Sequence, residues 1–78
     1  MSTVEIPKNT QETIRFQITE YRGERYADVR VYYRDEGGEL RPTKKGLTLS
    51  PRLWRDFVSG VEQLGAELQK CGLLESGE

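Results

Sequence analysis

Two alternating runs that meet at one tight turn constrain this chain more than anything else in it. From Thr13 to Tyr21, the residues Ile14, Phe16 and Ile18 fall on one side and Arg15, Gln17, Thr19 and Tyr21 on the other. Alternation with period two over this length describes a strand buried on one face. Arg22-Gly23 then offers a two-residue turn in which Gly accepts positive φ. A second run, Glu24 to Arg34, sets Ala27, Val29 and Val31 against Tyr26, Asp28, Arg30 and Tyr32. It is rich in the β-branched and aromatic residues that suit a pleated surface. Two such runs joined so closely form an antiparallel hairpin, and the rest of the chain must cover its apolar face.

Downstream, Asp35-Glu36-Gly37-Gly38 reads as a loop. Glu39 to Arg41 is a short third strand stopped by Pro42, which has no N–H to give a ladder. Lys44-Lys45-Gly46 reads as a turn and Leu47 to Leu49 as the fourth strand, with Leu47 and Leu49 inward. Ser50-Pro51 is a strong helix start. Trp54, Phe57, Val58, Val61, Leu64 and Leu68 then recur at helical spacing through about Lys70, and Gly72 ends the helix. Residues 1–12 read as a flexible tail, in which Val4 and Ile6 are weak candidates for an edge strand, and residues 72–78 as a second tail. The expected architecture is α+β, one domain over 13–71: a four-stranded curved antiparallel sheet followed by one C-terminal helix.

A chain of 78 residues buries only about 60% of its unfolded surface and is marginal alone. The helix stripe is also longer and wider than so small a sheet requires. A homodimer is therefore expected, with Trp54, Phe57, Val58, Val61, Leu64 and Leu68 at its interface. Gly60 and Gly65 each cost the helix roughly 1 kcal/mol relative to Ala, which fits either close approach of a partner helix or tolerated loss of propensity.

Enzymatic chemistry finds little support. The chain has no histidine, so no Ser-His or Cys-His relay can form. Its one cysteine, Cys71, excludes an internal disulfide and reads as a small apolar residue near the helix end. No metal-ligand spacing occurs, and Gly37-Gly38 lacks the surroundings of a phosphate loop. A non-enzymatic protein without metal or cofactor is expected. No apolar leader opens the sequence and no run is long enough to span a membrane, so the expectation is a cytoplasmic protein, nucleoid-associated in a prokaryote or nuclear in a eukaryote.

The net charge of −1 is unevenly spread. Thr13 to Trp54 holds nine Lys/Arg against six Asp/Glu, whereas Arg55 to Glu78 holds two against five. The polar side of the sheet interleaves rings and guanidinium groups: Arg15, Tyr21, Arg22, Tyr26, Arg30, Tyr32 and Arg34. Bases of single-stranded nucleic acid stack on such rings while cations track the phosphates. The same residues also make good cross-strand pairs on an exposed sheet. The residues alone leave both readings open.

Ile14 to Trp54 resembles, without gaps, the single-stranded-DNA-binding core of the transcriptional positive cofactor 4 family. The matching segments are Tyr21-Arg22-Gly23, Asp28-Val29-Arg30, Gly38-Glu39-Leu40-Arg41-Pro42, Lys45-Gly46-Leu47-Thr48-Leu49, and Ser50-Pro51 ahead of Trp54. The resemblance implies a ββββα homodimer whose sheets hold single-stranded DNA or the strands of a melted duplex, with RNA as a chemically equivalent ligand and transcription machinery among the partners. By matching position, Tyr21 and Tyr33 would be stacking rings, and Arg22, Arg30, Arg41, Lys44 and Lys45 would line a basic groove. Glu24 stands where the family tends to carry a base, and Tyr33 replaces a larger ring. Alternation puts Tyr33 on the face of Val29 and Val31, so a bulge or twist in that strand is expected if Arg30 and Tyr33 are to share a ligand. The Ser- and Lys-rich N-terminal region of eukaryotic coactivators is not seen, which points to a minimal prokaryotic or viral member. A protein-interaction module, with the helix as dimer seam, is the alternative.

Overall fold

A computed structural model describes residues 3–74. Four antiparallel strands lie side by side in chain order: β1 (Val4–Pro7), β2 (Glu12–Tyr21), β3 (Glu24–Arg34) and β4 (Leu40–Leu49). A 3-10 turn, Pro51–Leu53, leads into one helix, α1 (Trp54–Lys70). The expected four-stranded sheet followed by a C-terminal helix is what forms.

The β2–β3 hairpin is as the alternation requires. Ile14 sits opposite Val31, Phe16 opposite Val29, and Ile18 opposite Ala27. Its turn places both Arg22 (φ 54°) and Gly23 (φ 80°) in the left-handed region, the geometry whose twist matches the flanking strands. Leu47 and Leu49 of β4 face Val29 and Ala27 and extend the same apolar face.

Two strand assignments differ from the sequence reading. Val4–Pro7, read as part of a tail, is an edge strand: Val4 pairs with Phe16 and Ile6 with Ile14, so both apolar side chains join the apolar face. Residues 40–49 form one strand, where two short strands and a turn at Lys44-Lys45-Gly46 were expected. Pro42 does not stop it, because β4 lies at a sheet edge and its outer side needs no donor. The bulge expected in β3 does not form: β3 pairs with β2 without a break from Glu12–Tyr33 to Tyr21–Glu24, so Tyr33 stays on the face of Val29 and Val31, away from that of Arg30. The irregularity lies on β4 instead. Arg30 pairs with Gly46 and Tyr32 with Pro42, so Thr43, Lys44 and Lys45 bulge opposite Val31 alone.

The helix begins as its residues suggest, although Ser50 makes no side-chain cap; the first turn is closed by the Leu53 N–H donating to the Ser50 carbonyl at 2.9 Å. Gly72 (φ 72°) ends it, with the Leu73 N–H reaching back to Leu68 O at 2.9 Å. Residues 75–78 of the expected C-terminal tail, and Met1 and Ser2 of the N-terminal one, lie outside the described residues. Pro51 and Trp54 meet Phe16, Ile18 and Ala27 around an apolar hollow of about 530 Å³. Farther along, the stripe is open: Phe57, Val58 and Leu68 are half-buried, but Val61 and Leu64 are 53% and 62% exposed. No hydrophobic side chain among the described residues is fully buried.

Candidate nucleic-acid interface

The polar and apolar faces of the sheet carry different groups. On the polar face, Asp28 was expected to meet solvent. It is instead the one buried polar side chain among the described residues, 5% exposed. Arg30 lies over it, 3.0 Å from Nη2 to Oδ1, and Thr48 Oγ1 donates to the same carboxylate at 2.9 Å. Burial by itself would raise the Asp28 carboxyl, but the hydrogen bonds from Arg30 and Thr48 and the Arg30 charge outweigh it and hold the group below the ordinary carboxylate range. The Arg30 guanidinium also donates through Nη1 to the Thr43 carbonyl at 2.9 Å and through Nη2 to Thr48 Oγ1 at 3.1 Å. Nearby, Arg15 stacks over the Tyr32 ring at 4.5 Å and pairs with Glu5 at 2.8 Å, while Gln17 donates to the Tyr32 hydroxyl at 2.7 Å. Arg15 and Tyr32 thus form a cross-strand pair, while Arg30 is engaged by Asp28 of its own strand and by Thr43 and Thr48 of β4.

The free rings are elsewhere. Tyr21, at the end of β2, is 61% exposed, with the Arg22 guanidinium 5.2 Å from its ring centre. Tyr33, near the end of β3, is 42% exposed and sits directly opposite Arg41 of β4. Beside it an open depression of about 500 Å³ is lined by Tyr33, Arg34, Asp35, Glu36 and Gly37. Arg41 is held here by Asp35, Nε to Oδ2 at 2.7 Å. The Arg41 hydrogen bond, with those from the Glu39 and Gly37 amides, keeps Asp35 below the ordinary carboxylate range, and Asp35 in turn raises Arg41. Lys44 and Lys45 are exposed on the β4 bulge.

Of the seven residues expected in a groove, the sheet gathers Tyr33 and Arg41 as one cross-strand pair, carries Lys44 and Lys45 together on the bulge, and sets Tyr21 and Arg22 at the far hairpin. Arg30 is committed to Asp28, Thr43 and Thr48. A further cation, Lys8, went unnoticed because it lay in the supposed tail. The β1–β2 turn brings it to a hollow of about 370 Å³ that it shares with Lys45, over Ile14, Val29 and Leu47. Pro7-Lys8-Asn9 between Ile6 and Ile14 is the signal for that turn, where Asn9 Oδ1 accepts from the Gln11 and Glu12 amides at 2.9 and 2.8 Å. The lysine and the Asn9 hydrogen bond also keep Glu12 ionised below its usual range, Asn9 contributing most.

An open, curved four-stranded sheet with a single trailing helix, exposed rings and neighbouring cations defines a recognisable class. The family model for Transcriptional Coactivator p15 (PC4) matches residues 8–60, and the chain belongs to that family. An RNA polymerase II transcriptional coactivator of Drosophila melanogaster is 38% identical over 48 residues, covering 62% of this chain and 43% of that protein. The coactivator KELP of Arabidopsis thaliana is 32% identical over 56 residues, covering 72% and 33%. The chain therefore spans less than half the length of these relatives. The crystal structure of a PC4 homolog from Burkholderia pseudomallei (orthorhombic form) superposes with a TM-score of 0.75 at 31% identity, over 80% of this chain and 84% of that one. A bacteriophage T5 homolog of PC4, implicated in recombination-dependent DNA replication, shares the fold with a TM-score of 0.66 at 22% identity, over 94% and 82%. The resemblance read from the sequence is the family to which the chain belongs.

Proposed function

We infer that this chain is a non-enzymatic, sequence-tolerant single-stranded-DNA-binding protein that works as a homodimer in transcription or in DNA replication and repair. The observation that carries this reading is the pair of exposed rings, Tyr21 and Tyr33, each beside a guanidinium group, Arg22 and Arg41. Base stacking needs an accessible π-face, and phosphates need nearby cations. Lys44, Lys45 and Lys8 supply further positive charge. The exposed stripe of Val61 and Leu64 supports the second copy. Titration of a labelled ~20-nucleotide oligonucleotide tests the reading: single strands bind more tightly than duplex, and affinity falls with salt as counterions are released. Absence of binding to either form at low salt refutes it and leaves a helix-mediated protein-interaction module. Competition with matched RNA decides between the two nucleic acids.

A further inference from the structure

Arg30 was expected to reach a phosphate, yet its guanidinium is occupied. Its Nε and Nη2 are turned to Asp28, Nη2 also meets Thr48, and Nη1 holds the Thr43 carbonyl. Its side chain is only 21% exposed. Thr43 opens the three-residue bulge that carries both lysines. The Thr43 hydroxyl donates to Val31 O at 2.7 Å and accepts the Lys45 amide at 3.1 Å. Gly46 closes the bulge so near β3 that a Cβ there would lie 2.5 Å from the Val29 carbonyl oxygen and 2.7 Å from Arg30 Cα. The bulge is therefore held at its first residue by the Arg30 guanidinium, itself paired with buried Asp28, and at its far end by backbone contact.

We propose that Arg30, fixed by Asp28 and Thr48, is a positioning residue that shapes the Thr43–Lys45 bulge so that Lys44 and Lys45 meet the phosphate backbone, and that it does not itself contact the ligand. The proposal rests on the single-stranded-DNA reading above. Bidentate geometry is essential to it, because one planar fork must serve a carboxylate, a hydroxyl and a carbonyl at once, which an ammonium group cannot do. The sign of one substitution is diagnostic. Asp28→Asn removes a negative charge from a phosphate-binding sheet, so on charge alone it strengthens binding; on the positioning account it loosens Arg30 and weakens binding.

The test measures oligonucleotide affinity across salt for Asp28→Asn, Arg30→Lys and Thr48→Val, together with amide NMR spectra of each protein without nucleic acid. Expected is a loss of about three- to tenfold for Asp28→Asn and Arg30→Lys, with shifted Thr43 and Lys45 amide resonances in the free proteins. Adding Lys45→Ala to Arg30→Lys should then cost less than it costs alone. Thr48→Val is the milder variant that carries the comparison if Asp28→Asn does not fold. The proposal is overturned if Asp28→Asn binds as tightly as the parent, if the Lys45 amide does not move, or if Lys45→Ala costs as much in the Arg30→Lys background as it costs alone. If the parent protein binds no oligonucleotide, the single-strand reading fails, and the free-protein spectra alone decide whether Arg30 shapes the bulge.

Discussion

Tyr21 and Tyr33 owe their exposure to different surroundings. Tyr21 ends β2 at a two-residue turn, where no further strand extends over it; Tyr33 stands at the mouth of the Asp35 loop, between Glu12 of β2 and Arg41 of β4. Neither ring is part of a buried cluster, so Tyr21→Ala and Tyr33→Ala should each weaken single-strand binding by about 1–3 kcal/mol while leaving the thermal midpoint nearly unchanged. Fluorescence titration beside a melting curve separates the two effects. Asp28 behaves oppositely, since its carboxylate supports the fold. Its pKa is lowered in the folded state, so its contribution is present above the ordinary carboxylate range and lost as pH falls through the depressed value. The midpoint advantage of the parent over Asp28→Asn should therefore shrink as pH is lowered from about 6 toward 3, an advantage that persists unchanged in acid being inconsistent with this role. Alternation assigned Asp28 to the correct face, but it says nothing of what lies over a face. Here the cover is the long side chain of Arg30, two residues away, together with Thr48 from a strand 20 positions along.

At the level of elements, β2, β3 and α1 were legible because each carries a long periodic run. β4 was not, because Pro42, Lys44, Lys45 and Gly46 each look like a reason to stop. Each has a physical role within a continuous edge strand instead. Pro42 gives up a donor that an edge can spare, the lysines ride the bulge, and Gly46 allows β4 to touch the backbone of β3. Gly46→Ala should cost about 1–3 kcal/mol or more, the scale of overpacking, because the obstructing atoms belong to backbone that cannot rotate away. Urea unfolding measures this, and a variant as stable as the parent would contradict the close approach. Val4 to Pro7 was only weakly signalled, by Val4 and Ile6, for a simpler reason: four residues hold too little alternation to stand out, and only pairing with β2 defines them as a strand.

Across the whole molecule, no hydrophobic side chain among the described residues is fully buried, and Val61 and Leu64 stand open along the helix. In the proposed homodimer, a second copy covers the hollow at Trp54 and the stripe through Val61 and Leu64. The thermal midpoint should then rise with protein concentration, and Leu64→Lys should lower it and shift the mass in sedimentation toward the monomer. A concentration-independent midpoint would instead assign the stripe to a different partner. The rings and cations of the sheet and the apolar stripe of the helix were legible because type and spacing reveal what a surface could hold, whereas Arg30 shows that only geometry reveals which groups are already spoken for. The bulge of β4 has one more consequence. An open sheet ends in two rows of unpaired amides and carbonyls, and a straight β4 would offer one of them to any extended chain it met. Three residues looping out over Val31, two of them charged, with Pro42 just before them, break that row at its middle. The same kink that carries the lysines thus interrupts the row along which another extended chain could add itself to the sheet.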